Sequence, residues 1–262
     1  MTKHRIVIVG PGAVGCVLAA ELARRGADVA LLDHRPERAA TIESDGLRVE
    51  DGGAAWQAHV PCRSSASELG AADLLIVLVK AYATESAVRH AHGCIGPETA
   101  VLTLQNGLGN HETIAGLIDP RRVLAGTIVM GATSLGVGHV RLSGKGAIVL
   151  GSPSGNAELA AATAETLGRF WSPVEHEPQI EAAVWRKVIV NAAVNPLTAL
   201  TGLLNGQLLE APDLRATLGA IVLEATVVAR AAGIAPFAGD AVEAVEQVCR
   251  VTGRNRSSML QD

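Results

Sequence analysis

RIVIVGPGAVGCVLAAELARRG, residues 5–26, decides the fold. RIVIVG (5–10) is a short β-branched run, and AVGCVLAAELARRG (13–26) has helical periodicity closing on Gly26, a good helix stop. Between them Gly10, Gly12 and Gly15 fall in the order GxGxxG. The spacing has a physical reason. Gly10 permits a tight turn, Gly12 lets backbone approach a pyrophosphate, and Gly15 allows a helix to pack closely on a strand. The helix N-terminus then offers free N–H groups to the phosphates. The stretch Gly10, Pro11, Gly12, Ala13, Val14 and Gly15 is therefore expected to hold the diphosphate of a dinucleotide.

Working outward, strands and helices alternate. ADVALLD (27–33) reads as a second strand and DLLIVLV (73–79) as a central parallel strand covered on both faces. A helix around 83–92 and a strand TAVLTLQ (99–105) follow. GLRVEDGGAAWQAHV (46–60) reads as a hairpin around Asp51-Gly52-Gly53. The stretch 121–151 is β-rich, then comes a helix near 156–170 and a Pro-containing segment, SPVEHEP (172–178). After residue 179 the periodicity is helical. The expected fold class is an α/β N-terminal Rossmann-like doubly wound domain, residues 1–178, followed by an all-α C-terminal domain, residues 179–262.

Composition narrows the function. The chain has 262 residues, 48% hydrophobic and 18% charged, with a formal net charge of −4. No run of Lys and Arg marks a nucleic-acid or membrane surface, so neither is expected as a partner. No apolar run reaches the length of a membrane span, and four scattered cysteines lack zinc spacing. A soluble, cytoplasmic protein without a metal is the expectation.

Two further features bear on chemistry. In VWRKVIVNAAVNPLTAL (184–200), Lys187, Asn191 and Asn195 stand at i, i+4 and i+8, one stripe of a helix otherwise filled with Val, Ile and Ala. A solvated stripe is the plain alternative, but two Asn in register with a Lys on a helix apolar nearly all round favour a cleft-facing site. Pro196 is expected to bend the helix just past the row. At the end of the second strand, Asp33 lies 18 residues after Gly15, where an acid accepts the ribose hydroxyls of NAD. His34, Arg35 and Arg38 follow at once and suit the 2′-phosphate of NADP, so the residues themselves leave both cofactors open.

GPGAVG (10–15), LVKAY (78–82), LQNGLGN (104–110), WRKVIVNAAVNPLTALTGLLNG (185–206) and RSSMLQD (256–262) occur in this order along the chain. Together they resemble the ketopantoate reductase family (2-dehydropantoate 2-reductase), over essentially the whole length. The resemblance implies NADPH as cofactor and reduction of ketopantoate, a small 2-keto acid, to pantoate. It implies Lys80 and Asn106 near the nicotinamide ribose, and a backbone contact to cofactor at Ala132. Lys187 matches the proton donor, and Asn106, Asn191, Asn195, Asn205 and Ser258 match substrate-binding positions; Lys187 too lies against substrate. A homodimer is one admissible assembly.

The pattern is broken in two places. The family carries an acidic substrate-site residue about a dozen positions beyond the SSMLQD serines, and the sequence ends at Asp262; a missing C-terminal tail is expected. The family's NADPH-binding Arg falls at about His34, between Asp33 and Arg35, which opens the way to NADH. The competing readings are an NADH-dependent reductase of another 2-keto acid on the same fold, and a non-catalytic nucleotide-binding sensor.

Overall fold

The computed structural model describes residues 4–261, so Asp262, the last residue of the RSSMLQD motif, lies outside the described residues. Residues up to Ile180 form one compact unit and those from Glu181 onward a second.

The first unit begins with β1 (Arg5–Val9), α1 (Ala13–Arg24) and β2 (Asp28–Leu32). There follow α2 (Pro36–Asp45), a hairpin of β3 (Leu47–Asp51) and β4 (Ala54–Ala58), then β5 (Cys62–Arg63) and β6 (Ala72–Val77). The unit continues with α3 (Thr84–His90), β7 (Ile95–Thr103), α4 (Asn110–Ala115), β8 (Val123–Gly136), β9 (His139–Gly151), α5 (Ala157–Gly168) and β10 (Val174–His176). All ten strands join one sheet, ordered β4-β3-β9-β8-β7-β6-β1-β2-β5, with β10 paired to β9. From β8 to β5 every pairing is parallel; β8 with β9 and β3 with β4 are antiparallel. The sheet is thus parallel at its centre and mixed toward one edge.

Alternation along the central strands explains the double winding. Ile6, Ile8, Leu31, Leu74, Ile76 and Leu102 enter one core together with Val17, Leu18 and Leu22 of α1 and Leu167 of α5. Val7, Val9, Leu32, Leu75, Val77 and Val101 enter the other, against Val88 of α3 and Ile114 of α4. Successive residues point to opposite faces, so a strand apolar at every position is buried on both. The turn after α1 is closed by Gly26 at φ +88°, with Ala27 N–H donating to the Leu22 carbonyl (3.1 Å), a helix stop that only glycine adopts cheaply.

The second unit is helical: α6 (Ile180–Thr201, of which all but Ile180 belongs here), α7 (Pro212–Ala231), α8 (Ala241–Val251) and α9 (Ser258–Gln261). Its core joins Ile189, Ala193, Val194 and Leu197 of α6 to Leu218 and Val222 of α7 and Val245 and Cys249 of α8. Asp240 caps α8, its carboxylate accepting from Glu243 N–H at 3.0 Å. Arg215 of α7 and Arg250 both pair with buried Glu246, Arg250 Nη2 donating at 2.7 Å, which fixes α7 against α8. The helix α6 remains helical through Pro196 to Thr201. Among the described residues no helix is long and apolar enough to cross a membrane, and no three His, Cys, Asp or Glu side chains are grouped to hold a metal ion.

Candidate active site

The parallel strands β7, β6, β1 and β2 are neighbours in that order, so the loops leaving their C-terminal ends share one edge of the first unit. In a doubly wound sheet that edge is where ligands bind. Gly10 opens the first loop at φ +101°, its N–H donating to the Leu32 carbonyl at 3.1 Å. A Cβ there would lie 2.8 Å from Val79 Cγ1, on the loop after β6. At Gly15 a Cβ would lie 2.2 Å from the Gly10 carbonyl oxygen, so α1 packs against its own approach loop only because that position has no side chain. Gly12 is different. It is exposed, and a Cβ on it would have nothing within 4 Å.

The first backbone bond of α1 runs from Cys16 N–H to the Gly12 carbonyl at 2.9 Å. The N–H groups of Ala13, Val14 and Gly15 consequently have no intrahelical partner and carry the positive end of the helix dipole. Pro11 is buried and Ala13 and Val14 are half-buried, holding this turn against the sheet. Open space over Gly12 together with donors in the first helical turn fits a diphosphate.

At the end of β2, Asp33 is buried, and its carboxylate is fully engaged. Arg38 donates to both oxygens, through Nε to Oδ2 and through Nη2 to Oδ1 at 2.7 Å. Arg35 N–H donates to Oδ1 at 3.1 Å, and His34 Nδ1 lies 3.5 Å from it. The Asp33 side chain has no exposed surface, whereas His34 and Arg35 are exposed. The carboxylate beside it pushes the Arg38 guanidinium pKa up.

Lys80 and Asn106 are both exposed on the loops after β6 and β7. A buried amide ties those loops together: Gln105 Nε2 donates to the Val79 carbonyl (2.8 Å) and to Thr84 Oγ1 (2.9 Å). Thr103 Oγ1 donates to Gln105 Oε1 (2.9 Å), and Asn110 Nδ2 donates to the Asn106 carbonyl (3.2 Å). Gln105, Thr84 and Asn110 therefore set where Lys80 and Asn106 stand, although the sequence reading singled out only the last two. Gln105 and Asn110 lie inside LQNGLGN and Thr84 does not, and no local spacing marks the contacts that join them. Ala132 is half-buried on β8, paired with Leu142 of β9.

In the second unit, α6 carries Lys187, Asn191 and Asn195 on one stripe, each about 6 Å further along the axis. All three are half-buried. Burial disfavours the ammonium, and the Lys187 pKa is lowered to about 8. Asn195 Nδ2 donates to Ser258 Oγ at 3.3 Å, so the terminal serine joins the row. Asn205 reaches the loop before α9 instead: its N–H donates to the Asn255 carbonyl (3.2 Å) and its Nδ2 to Thr252 Oγ1 (2.9 Å). The Asn205 Oδ1 is buried without a hydrogen-bond partner among the described residues.

The predicted residues thus gather in two groups, one per unit. Gly10 to Gly15, Asp33, Arg35, Lys80 and Asn106 follow the C-terminal ends of adjacent strands; Lys187, Asn191, Asn195 and Ser258 lie along α6, with Asn205 on the neighbouring turn.

Comparison with known proteins bears on both units. The model of the ketopantoate reductase PanE/ApbA family matches residues 6–155, and that of the same family's C-terminal region matches 179–262. A 2-dehydropantoate 2-reductase of Halobacterium salinarum is 38% identical over 263 residues, 98% of this chain and 85% of that protein. The crystal structure of a PanE/ApbA family ketopantoate reductase from Ralstonia eutropha is similar at a TM-score of 0.83 and 33% identity, covering 98% of this chain and 84% of the other. A D-mandelate dehydrogenase solved with NADH and anilino(oxo)acetate is similar at a TM-score of 0.89 and 25% identity, with the same coverage.

Proposed function

The chain belongs to the ketopantoate reductase family, PanE/ApbA, and on that premise we propose that it reduces 2-dehydropantoate to pantoate with a pyridine nucleotide. The carrying observation is Lys187, a half-buried ammonium whose pKa is lowered to about 8, in line with two amides. A bound reduced nucleotide supplies a hydride to the keto carbon. As that carbon is reduced, negative charge builds on the carbonyl oxygen. An ammonium at that oxygen stabilises the charge and delivers the proton, and a group with a pKa near the working pH is suited to do so. Asn191, Asn195, Asn205 and Ser258 supply amide and hydroxyl groups to orient a carboxylate and a hydroxyl.

The first unit would hold the nucleotide: Gly10, Pro11, Gly12, Ala13, Val14 and Gly15 at the diphosphate, Lys80 and Asn106 near the nicotinamide ribose, and Ala132 through its backbone. Asp33 and Arg35 sit where the adenosine ribose is recognised. We assign NADPH as the preferred form. Both Asp33 oxygens already accept from Arg38 and the Arg35 amide, so the carboxylate serves as the anchor for cations and not as a ribose acceptor. Arg35 and Arg38 then recognise the 2′-phosphate. A charge-assisted contact of this kind is worth about 1.5–3 kcal/mol, so NADPH should exceed NADH by about 10- to 100-fold in kcat/KM.

The test is turnover of ketopantoate by purified protein with NADPH and NADH side by side. Oxidation of NADPH that requires ketopantoate is the expected result; no oxidation with either cofactor overturns the proposal, and a preference for NADH overturns the assignment of Asp33.

A further inference from the structure

A chain of hydroxyl groups runs beneath the Asn195–Ser258 pair, on residues that no substrate role has absorbed. Thr198 and Ser257 are both buried, and their side-chain oxygens lie 2.6 Å apart. Leu260 N–H donates to Ser257 Oγ at 3.2 Å, so Ser257 caps the turn that presents Ser258. Thr198 Oγ1 is placed to donate to the carbonyls of Asn195 (2.9 Å) and Val194 (3.1 Å). Either hydroxyl can donate across the gap, and in both cases the bridge ties the turn capped by Ser257 to α6 one turn past Asn195.

We propose that Thr198 and Ser257 are positioning residues that hold Ser258 at the level of Asn195 for substrate binding; this rests on the reading that Ser258 and Asn195 contact the 2-keto acid. The residues are spaced for the task. Thr198 lies three positions after Asn195 on α6, and Ser257 immediately precedes Ser258, so one buried bridge sets the separation of two groups on different segments. Removing either hydroxyl breaks this bridge, and loss of the Ser257 hydroxyl also strips the cap from Leu260 N–H, so the segment carrying Ser258 is freed to shift. Thr198→Val keeps the side-chain shape and loses only the hydroxyl.

The full chain is compared with T198V, S257A, T198S, S258A and the doubles T198V/S257A and T198V/S258A. The measured quantities are kcat, KM for ketopantoate, the NADPH dissociation constant by nicotinamide fluorescence, and Tm. Expected are a rise in KM of about 3- to 10-fold in T198V and in S257A, with NADPH affinity unchanged. T198V/S257A should be no worse than the worse single variant, and T198S should restore KM. In the S258A background T198V should add nothing. If S258A itself leaves KM unchanged, the substrate-site reading fails and the bridge's purpose with it. If S258A raises KM while T198V and S257A do not, the bridge alone is overturned. A KM rise from T198V that persists undiminished on top of S258A also overturns it, because the hydroxyl then acts through general stability. Should T198V not fold, S257A and S257A/S258A carry the same comparison.

Discussion

The glycine loop after β1 and the polar row on α6 are built in opposite ways. At Gly10, Gly12 and Gly15 the proposed cofactor loop is defined by side chains that are missing; at Lys187, Asn191 and Asn195 the proposed substrate row consists of polar groups set into an apolar helix. The first works through backbone amides that every sequence possesses, so its specificity lies in clearance. The second works through donors and charge that only those side chains supply. It follows that the loop is broken by adding atoms and the row by removing them. The two glycines within one turn also differ: Gly15 is filled by the Gly10 carbonyl, while Gly12 faces open space.

The largest expected effect is on the row. Lys187→Ala removes the proposed acid and should lower kcat by about 10²- to 10⁴-fold while leaving the NADPH dissociation constant as it was. Equal losses in rate and cofactor affinity would erase the division between the two regions. Next comes the loop. Gly12→Ala should leave Tm unchanged, because its Cβ meets no protein atom, yet weaken NADPH by about 10- to 100-fold through steric conflict of about 1–3 kcal/mol. Gly15→Ala should instead lower stability, since its Cβ would stand 2.2 Å from a backbone oxygen; similar Tm values for the two variants would contradict their assignment to different tasks. The smallest effect belongs to single amides of the row. Asn191→Ala should raise KM for ketopantoate by about tenfold, with NADPH binding unaltered in equilibrium titration.

Legibility in the sequence follows the same division. The strand, glycines and helix of residues 5–26 could be read because clearance requirements leave a fixed spacing, and the hairpin around Asp51-Gly52-Gly53 because its turn glycines stand at φ +55° and +93°. The row could be read because amides are conspicuous among valines and alanines. Other parts left no pattern. Val174–His176 forms β10 within the segment read as SPVEHEP, and Cys62–Arg63 forms β5; both are too short for periodicity and exist through pairing with β9 and β2. The Asp33 carboxylate could be placed at a strand end, but its engagement by Arg38 depends on α2 returning that side chain. Thr198, Ser257 and Gln105 looked like ordinary residues of a helix, a turn and a strand end. Their contacts reach partners 59 positions away for Thr198 and 21 and 26 for Gln105, a separation that local spacing does not encode.

The pH dependence of kcat/KM for ketopantoate, in wild type and in Lys187→Ala, tests the central claim most directly. With Lys187 as the proposed proton donor, reduction requires the protonated amine, whose pKa burial lowers to about 8. The rate of reduction should therefore be level below that pH and fall tenfold per unit above it, while oxidation of pantoate, which needs the neutral amine, should rise through the same pH. The residual rate of Lys187→Ala should lack this ionisation. A wild-type profile level from pH 7 to 10, or a break near pH 8 that persists in Lys187→Ala, would contradict the assignment of Lys187 as the proton donor.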